Sequence, residues 1–279
     1  MTQIELGINR DRQPDRNFDK GGRSFYFFDL DENVFSLSTP TYIFHKETKH
    51  EIKLLAGELA KNFSDIGKRG DFKDYQIIDD DVVGSFRRFR DYKDKKGVQP
   101  FIEDLQDAIK KIDHSWKGPS WACFYHAAFN DRPVSLITAR GHAPDTIKEG
   151  IELFVRDGHL PKSPNYLSVF PVSHPEVQKE LSKGSVLSVS ELKLHAVIRS
   201  VELAMQTYGE NPHHRFGMSD DDPKNLEMIF EAMLTLKKRY PDNSFFVIRT
   251  GETDFVKEEV FLDHTEKHSL KIAPQLSLF

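Results

Sequence analysis

The chain has 279 residues, enough for roughly two domains or for one large domain carrying an insertion. Its 39 Lys and Arg against 44 Asp and Glu leave a formal charge of −5, which argues against holding nucleic acid through global charge. A single cysteine, Cys123, excludes an internal disulfide framework and a cysteine-rich zinc site, while 22 Phe residues can furnish a large core.

Residues 1–23 are polar and charged and read as a flexible N-terminal arm, without the apolar stretch of a secretory signal. No segment approaches the roughly 18 apolar residues of a membrane span, so the expectation is a cytoplasmic protein without membrane partners. Next comes Phe25-Tyr26-Phe27-Phe28, a continuous apolar run of the kind found in strands buried on both faces. Similar runs recur at 134–138, 166–172, 214–218 and 245–249. Between them, 145–155, 191–208 and 225–240 carry apolar residues three and four apart, the helical spacing. This alternation predicts an α/β fold, a Rossmann-like three-layer sandwich with a mostly parallel sheet.

One connection is too long for that pattern. From Phe35 to Val134 the chain far exceeds the dozen or so residues that a parallel crossover needs. The reading is a core made of 24–35 and 116–279, interrupted by an inserted cap-like segment over 36–115. Within the insertion, 49–62 and 101–112 read as helical, and 68–81 as a charged loop.

Open parallel sheets bind ligands outside the carboxyl ends of their strands. The first run ends in Asp29-Leu30-Asp31-Glu32-Asn33, the second in Thr138, and the fourth is followed by Ser219-Asp220-Asp221-Asp222. Carboxylates gathered at one edge repel each other and invite a divalent cation, magnesium above all, because their oxygens suit a hard ion. Lys193 opens the helix before the Asp220 strand and could neutralise an anion there. Residues two apart in an extended segment point the same way, so Asp29 and Asp31 share a side. One acid can then attack phosphorus while the other moves a proton.

FYFFDLDENVF resembles the first motif of the haloacid dehalogenase superfamily, a hydrophobic strand followed by Asp-x-Asp. VSLITARG is similar to its second motif, Lys193 stands where its third is expected, and RFGMSDDD resembles its fourth. The four follow in order over 24–251. The resemblance implies Asp29 as nucleophile and Asp31 as general acid/base, with the Asp31 main-chain carbonyl touching the metal. It also implies Thr138 on the phosphoryl oxygen, Lys193 stabilising the transferred group, and Asp220 and Asp221 holding Mg2+. Two positions depart from the pattern. Asn33 stands where the family usually has Thr or Val, and three consecutive acids leave open which pair faces the metal. Lys224 ranks second to Lys193 as the active lysine.

The implied activity is magnesium-dependent hydrolysis of a phosphate monoester through an aspartyl-phosphate, with a phosphorylated small molecule as substrate. Two alternatives stay open: a non-catalytic binding or scaffold protein, and a phosphatase acting on nucleic-acid ends or phosphoproteins. For the latter, the basic and aromatic stretch 87–93 would matter. Several weaker patterns have plainer readings. Asp222 before Pro223 suits a helix cap, and the pairs His264/His268 and His213/His214 suit solvated or loop positions. Cys123 and His126 lie among aromatic residues that suit a structural thiol.

Overall fold

In this computed structural model, the described residues are 11–94, 97–251, 255–262 and 270–271. The Phe-rich run forms β1 (Ser24–Phe28). Because strand side chains alternate between faces, Phe25 and Phe27 enter one hydrophobic cluster and Phe28 enters another on the opposite face. That two-sided burial is why the run shows no polar alternation.

The chain next forms β2 (Thr41–His45), β3 (Glu51–Leu54), α1 (Ala56–Asn62) and β4 (Tyr75–Gln76). These strands make a small antiparallel sheet of their own, in the order β3-β2-β4. The helix expected over 49–62 therefore begins late. Its first half is β3, paired to β2 with Thr41 opposite Leu54. Glu51-Ile52-Lys53-Leu54 alternates polar and apolar, and that period of two prevails over the helical reading.

A helix, α2 (Pro100–Ile109), leads back from this segment, followed by α3 (Trp121–Phe129), β5 (Pro133–Thr138) and α4 (Pro144–Arg156). Phe101 and Leu105 of α2 pack in the same cluster as Ile147, Ile151 and Phe154 of α4. Gly150 permits the approach, because a Cβ there would meet Leu105 Cδ1 at 2.7 Å and Phe101 Cε1 at 2.8 Å. So α2 lies in a layer of the core although it falls within 36–115. The stretch forming α3 is apolar nearly all round, with Phe124, Ala127 and Ala128 buried, so it carries no polar stripe to announce a helix.

The remaining elements are β6 (Asn165–Pro171), α5 (Pro175–Ser182), α6 (Val189–Tyr208), β7 (Arg215–Asp220), α7 (Pro223–Arg239), β8 (Ser244–Thr250), β9 (Phe255–Glu259) and β10 (Leu270–Lys271). The main sheet runs β10-β9-β8-β7-β1-β5-β6. Its β8-β7-β1-β5-β6 portion is parallel, and β9 and β10 add antiparallel edges. Helices α5, α6 and α7 cover one face; α2, α3 and α4 cover the other. This is the Rossmann-like three-layer α/β sandwich with an inserted cap-like segment.

Residues 11–23 of the expected arm are tied to the core. Buried Asp15 pairs with buried Arg132 at 2.8 Å and accepts a hydrogen bond from Ser24 N, while Asn17 Nδ2 donates to His213 O. A buried carboxylate needs such partners, and they fix the chain around it. Among the described residues, no helix is long and apolar enough to cross a membrane.

Candidate active site

The register of the sheet determines what meets at its carboxyl edge. Phe28 lies beside Ser219, and the next residue, Asp29, continues the pairing by donating its N–H to Ser219 O at 3.0 Å. Asp29 and Asp220 thus emerge from neighbouring strands. Lys193 reaches them from the second turn of α6, whose start is fixed by a capping box of Ser188 and Glu191. Its Nζ lies 3.1 Å from Asp29 Oδ1 and 2.8 Å from Asp220 Oδ2. All three side chains are almost wholly buried.

Asp220 is oriented further by Asp222 N and Asn225 Nδ2, which donate to Oδ1 at 3.0 Å and 3.2 Å. Asp221 is half-buried, and one oxygen from each of Asp29, Asp220 and Asp221 falls within 4.8 Å of the others. Three carboxylates against one ammonium leave an excess of two negative charges when all are ionised. Burial and the carboxylates around it raise the Asp29 pKa well above the usual range, against the pull of Lys193. Burial, then Asp220, pushes Asp221 up to about 7. Burial works against the Lys193 ammonium, but Asp29 and Asp220 outweigh it and hold the group charged.

These residues fit a divalent cation. The donors are all oxygen, as a hard ion such as magnesium requires. Asp29 Oδ1 is buried with no aligned hydrogen bond, since its 3.1 Å approach to Lys193 is an ion pair without the bond's direction. A buried carboxylate without a hydrogen bond on one oxygen, in a cluster with two further acids, is a position that a cation would satisfy.

The structure separates the alternatives at the fourth strand end. Asp222 is exposed and serves as the N-cap of α7, accepting from Lys224 N at 2.9 Å, while Asp220 and Asp221 turn towards Asp29. The Lys224 side chain is exposed, and Lys193 is the lysine that meets the acids. Thr138, at the end of β5, is buried, and its Oγ1 accepts from Arg140 N at 3.3 Å.

Asp31 has a different partner. Its carboxylate is gripped by Arg140, with Nε donating to Oδ2 at 2.8 Å and Nη2 to Oδ1 at 2.6 Å. Arg140 itself is fully buried. Its guanidinium lies 4.9 Å from the Phe89 ring and 4.8 Å from the Phe101 ring, and it donates to Thr39 Oγ1 at 2.8 Å. Sequence reasoning assigned Arg140 no role. The available signal was a guanidinium two residues beyond a strand buried along its whole length, a place where only a strong partner keeps a buried charge.

Asn33 proves to be a tie between strand ends. Its Nδ2 donates to Ser219 O at 2.6 Å and Ser219 Oγ at 2.9 Å, and its Oδ1 accepts from Thr250 Oγ1 at 3.4 Å. The three arginines of the basic stretch are paired with carboxylates. Arg87 pairs with Glu51, Arg88 with Glu103 and Asp104, and Arg90 with Asp81. His214 is buried and structural, accepting Arg23 N at Nδ1 and meeting Gly209 O through Nε2. Cys123 lies on α3, where burial pushes its thiol pKa up and away from reactivity. The pair His264/His268 lies outside the described residues.

Compared with protein-family models, with curated proteins and with solved structures, the chain matches none.

Proposed function

We propose that this chain is a magnesium-dependent phosphohydrolase of the haloacid dehalogenase type, cleaving a phosphate monoester through an aspartyl-phosphate on Asp29. The observation that carries the reading is the convergence of Asp29, Asp220 and Asp221 within 4.8 Å, with Lys193 bridging two of them. Asp29, Asp220, Asp221 and the Asp31 carbonyl are the groups proposed to hold the ion. Magnesium, when bound, supplies positive charge against the phosphoryl oxygens and frees Asp29 from the repulsion of its neighbours.

An Asp29 carboxylate oxygen attacks phosphorus as the bond to the leaving oxygen breaks. The leaving oxygen keeps the electron pair and takes a proton from Asp31. Asp31, now a carboxylate, removes a proton from water, which attacks the same phosphorus. The bond to Asp29 then breaks, giving inorganic phosphate and the original carboxylate. Proton transfer of this kind contributes about 10²- to 10⁴-fold in rate. Lys193 offsets charge on the Asp29 side, and Thr138 offers its hydroxyl to a phosphoryl oxygen.

A phosphorylated small molecule is the preferred substrate. The guanidiniums of Arg87, Arg88 and Arg90 already face carboxylates, so they offer little to a polyanion. A reducing, cytoplasmic setting suits the single thiol.

Hydrolysis of 4-nitrophenyl phosphate with magnesium is the direct test. Turnover is expected in magnesium, abolished by EDTA and by Asp29→Asn. Absence of magnesium-dependent turnover over a broad panel of phosphate esters overturns the reading. Full activity in Asp29→Asn removes the nucleophile assignment.

A further inference from the structure

Asp31 is held by a cation whose surroundings come largely from the inserted segment. Phe89 and Phe101 flank the Arg140 guanidinium, and Thr39 accepts from its Nη2. Phe89 and Thr39 belong to the inserted segment, and Phe101 to α2, the helix packed in the core layer. The remaining polar neighbour is His142, whose Nε2 lies 3.4 Å from Arg140 Nη1. His142 is fully buried, and its Nδ1 lies 2.9 Å from Asp91 Oδ1, again a residue of the insertion. Asp91 Oδ2 accepts from Ala143 N and Thr146 Oγ1, both at 2.9 Å, so its carboxylate is fixed against the start of α4.

The proton pattern along this chain follows from its ends. Asp91 is an acceptor, so His142 Nδ1 carries the hydrogen that it donates. Burial keeps the ring neutral by lowering its pKa, against the pull of Asp91. Nε2 is then left as an acceptor facing Arg140, which can only donate. Arg140 uses Nη1 towards His142 and Nη2 towards Thr39, and presents Nε and Nη2 to Asp31. A planar guanidinium fixed at several donors has one orientation, and a carboxylate bound to two of its nitrogens inherits it. Asp31 Oδ2 accepts only the Nε hydrogen among these bonds and keeps a lone pair for a proton.

We infer that the inserted segment does more than cover the site: Asp91 and Thr39 are positioning residues that, through His142 and Arg140, aim Asp31 at the leaving oxygen. This inference rests on the phosphohydrolase reading and extends it. The insertion supplies part of the general acid's scaffold, and neither Asp91 nor Thr39 touches the reacting atoms.

Asp91→Asn keeps the shape but can place an amide N–H against His142 Nδ1. His142 then carries its hydrogen on Nε2, facing the Arg140 donor, and the guanidinium must turn. Thr39→Val removes the acceptor on the other side with little change of volume and leaves the start of α4 untouched. Each variant is compared with wild type, with magnesium, on phenyl phosphate and 4-nitrophenyl phosphate. The two esters share a ring and differ in how much the leaving oxygen needs a proton.

The expected result is a fall in kcat of about tenfold or more on phenyl phosphate and of about threefold or less on 4-nitrophenyl phosphate. KM should stay within about twofold on both esters. Equal losses on the two esters, no loss on either, or a rise in KM alone would overturn the inference. If Asp91→Asn does not fold, Thr39→Val decides by the same comparison. Wild type inactive on both esters, and on other phosphate esters, would bring down the phosphohydrolase reading and this inference with it. Active wild type with evenly affected variants brings down the inference alone.

Discussion

Lys193 Nζ and Asp220 Oδ2 are 2.8 Å apart and both side chains are buried, although 27 positions of sequence separate them. The pair joins the second turn of α6 to the end of β7, so the early part of a helix and the close of a strand meet through one charged contact.

Replacing Lys193 with Met tests what that contact is worth. The substitution leaves Asp29 and Asp220 facing each other without an internal cation. Removing one partner from a buried pair costs about 3–5 kcal/mol. Urea unfolding at neutral pH in EDTA should show a loss of that order in Lys193→Met. A loss below about 1 kcal/mol would mean that the two acids are neutralised by protons instead.

Asp221 gives a pH-dependent test. Burial and Asp220 raise its pKa to about 7 in the folded chain, above the ordinary carboxylate range. A group whose folded pKa is raised binds its proton more tightly in the folded state. Its contribution is therefore complete below the unfolded value and is lost as pH rises through about 7. In EDTA, Asp221→Asn should be more stable than wild type at pH 8, and the difference should shrink towards pH 4. Added magnesium should raise the melting temperature of wild type and leave that of the variant nearly unchanged. A constant difference across this pH range would remove Asp221 as its source.

Gly150 tests the packing that returns the insertion to the core. Alanine is better than glycine in a helix by about 1 kcal/mol. Here its Cβ would press on Leu105 Cδ1 and Phe101 Cε1 at 2.7 Å and 2.8 Å, contacts that require those side chains or α2 to shift. Overpacking of this kind costs about 1–3 kcal/mol. Thermal unfolding should show Gly150→Ala below wild type, and a more stable variant would mean that α2 moves away without penalty.

The parallel core was legible in the chain because its central strands are largely buried, leaving mostly apolar runs such as 25–28 and 134–138. The edge where ligands would gather followed from the ends of those runs. Asp29, Asp220 and Asp221 come together there, and Lys193 joins them. Asp31 was placed beside Asp29 by strand alternation, but it lies in the turn after β1, where Arg140 rather than the strand period decides its partner. Arg140, His142 and Asp91 were not legible as a group. Asp91 and His142 are 51 positions apart, and only the folding of the insertion onto the 139–142 loop joins them. Strand β3 was obscured by its length, four residues running almost directly into a helix.

The enclosure of Arg140 also limits how the molecule can breathe. Swinging residues 86–92 outward would strip the Phe89 ring and the Asp91 brace from around a fully buried guanidinium, and would break the hydrogen bond from Gly141 N to Phe89 O. Opening along that hinge line would therefore admit water to a cation that the closed form keeps dry. The 86–92 stretch is thus tied to the 139–142 loop at two points, one main-chain and one side-chain.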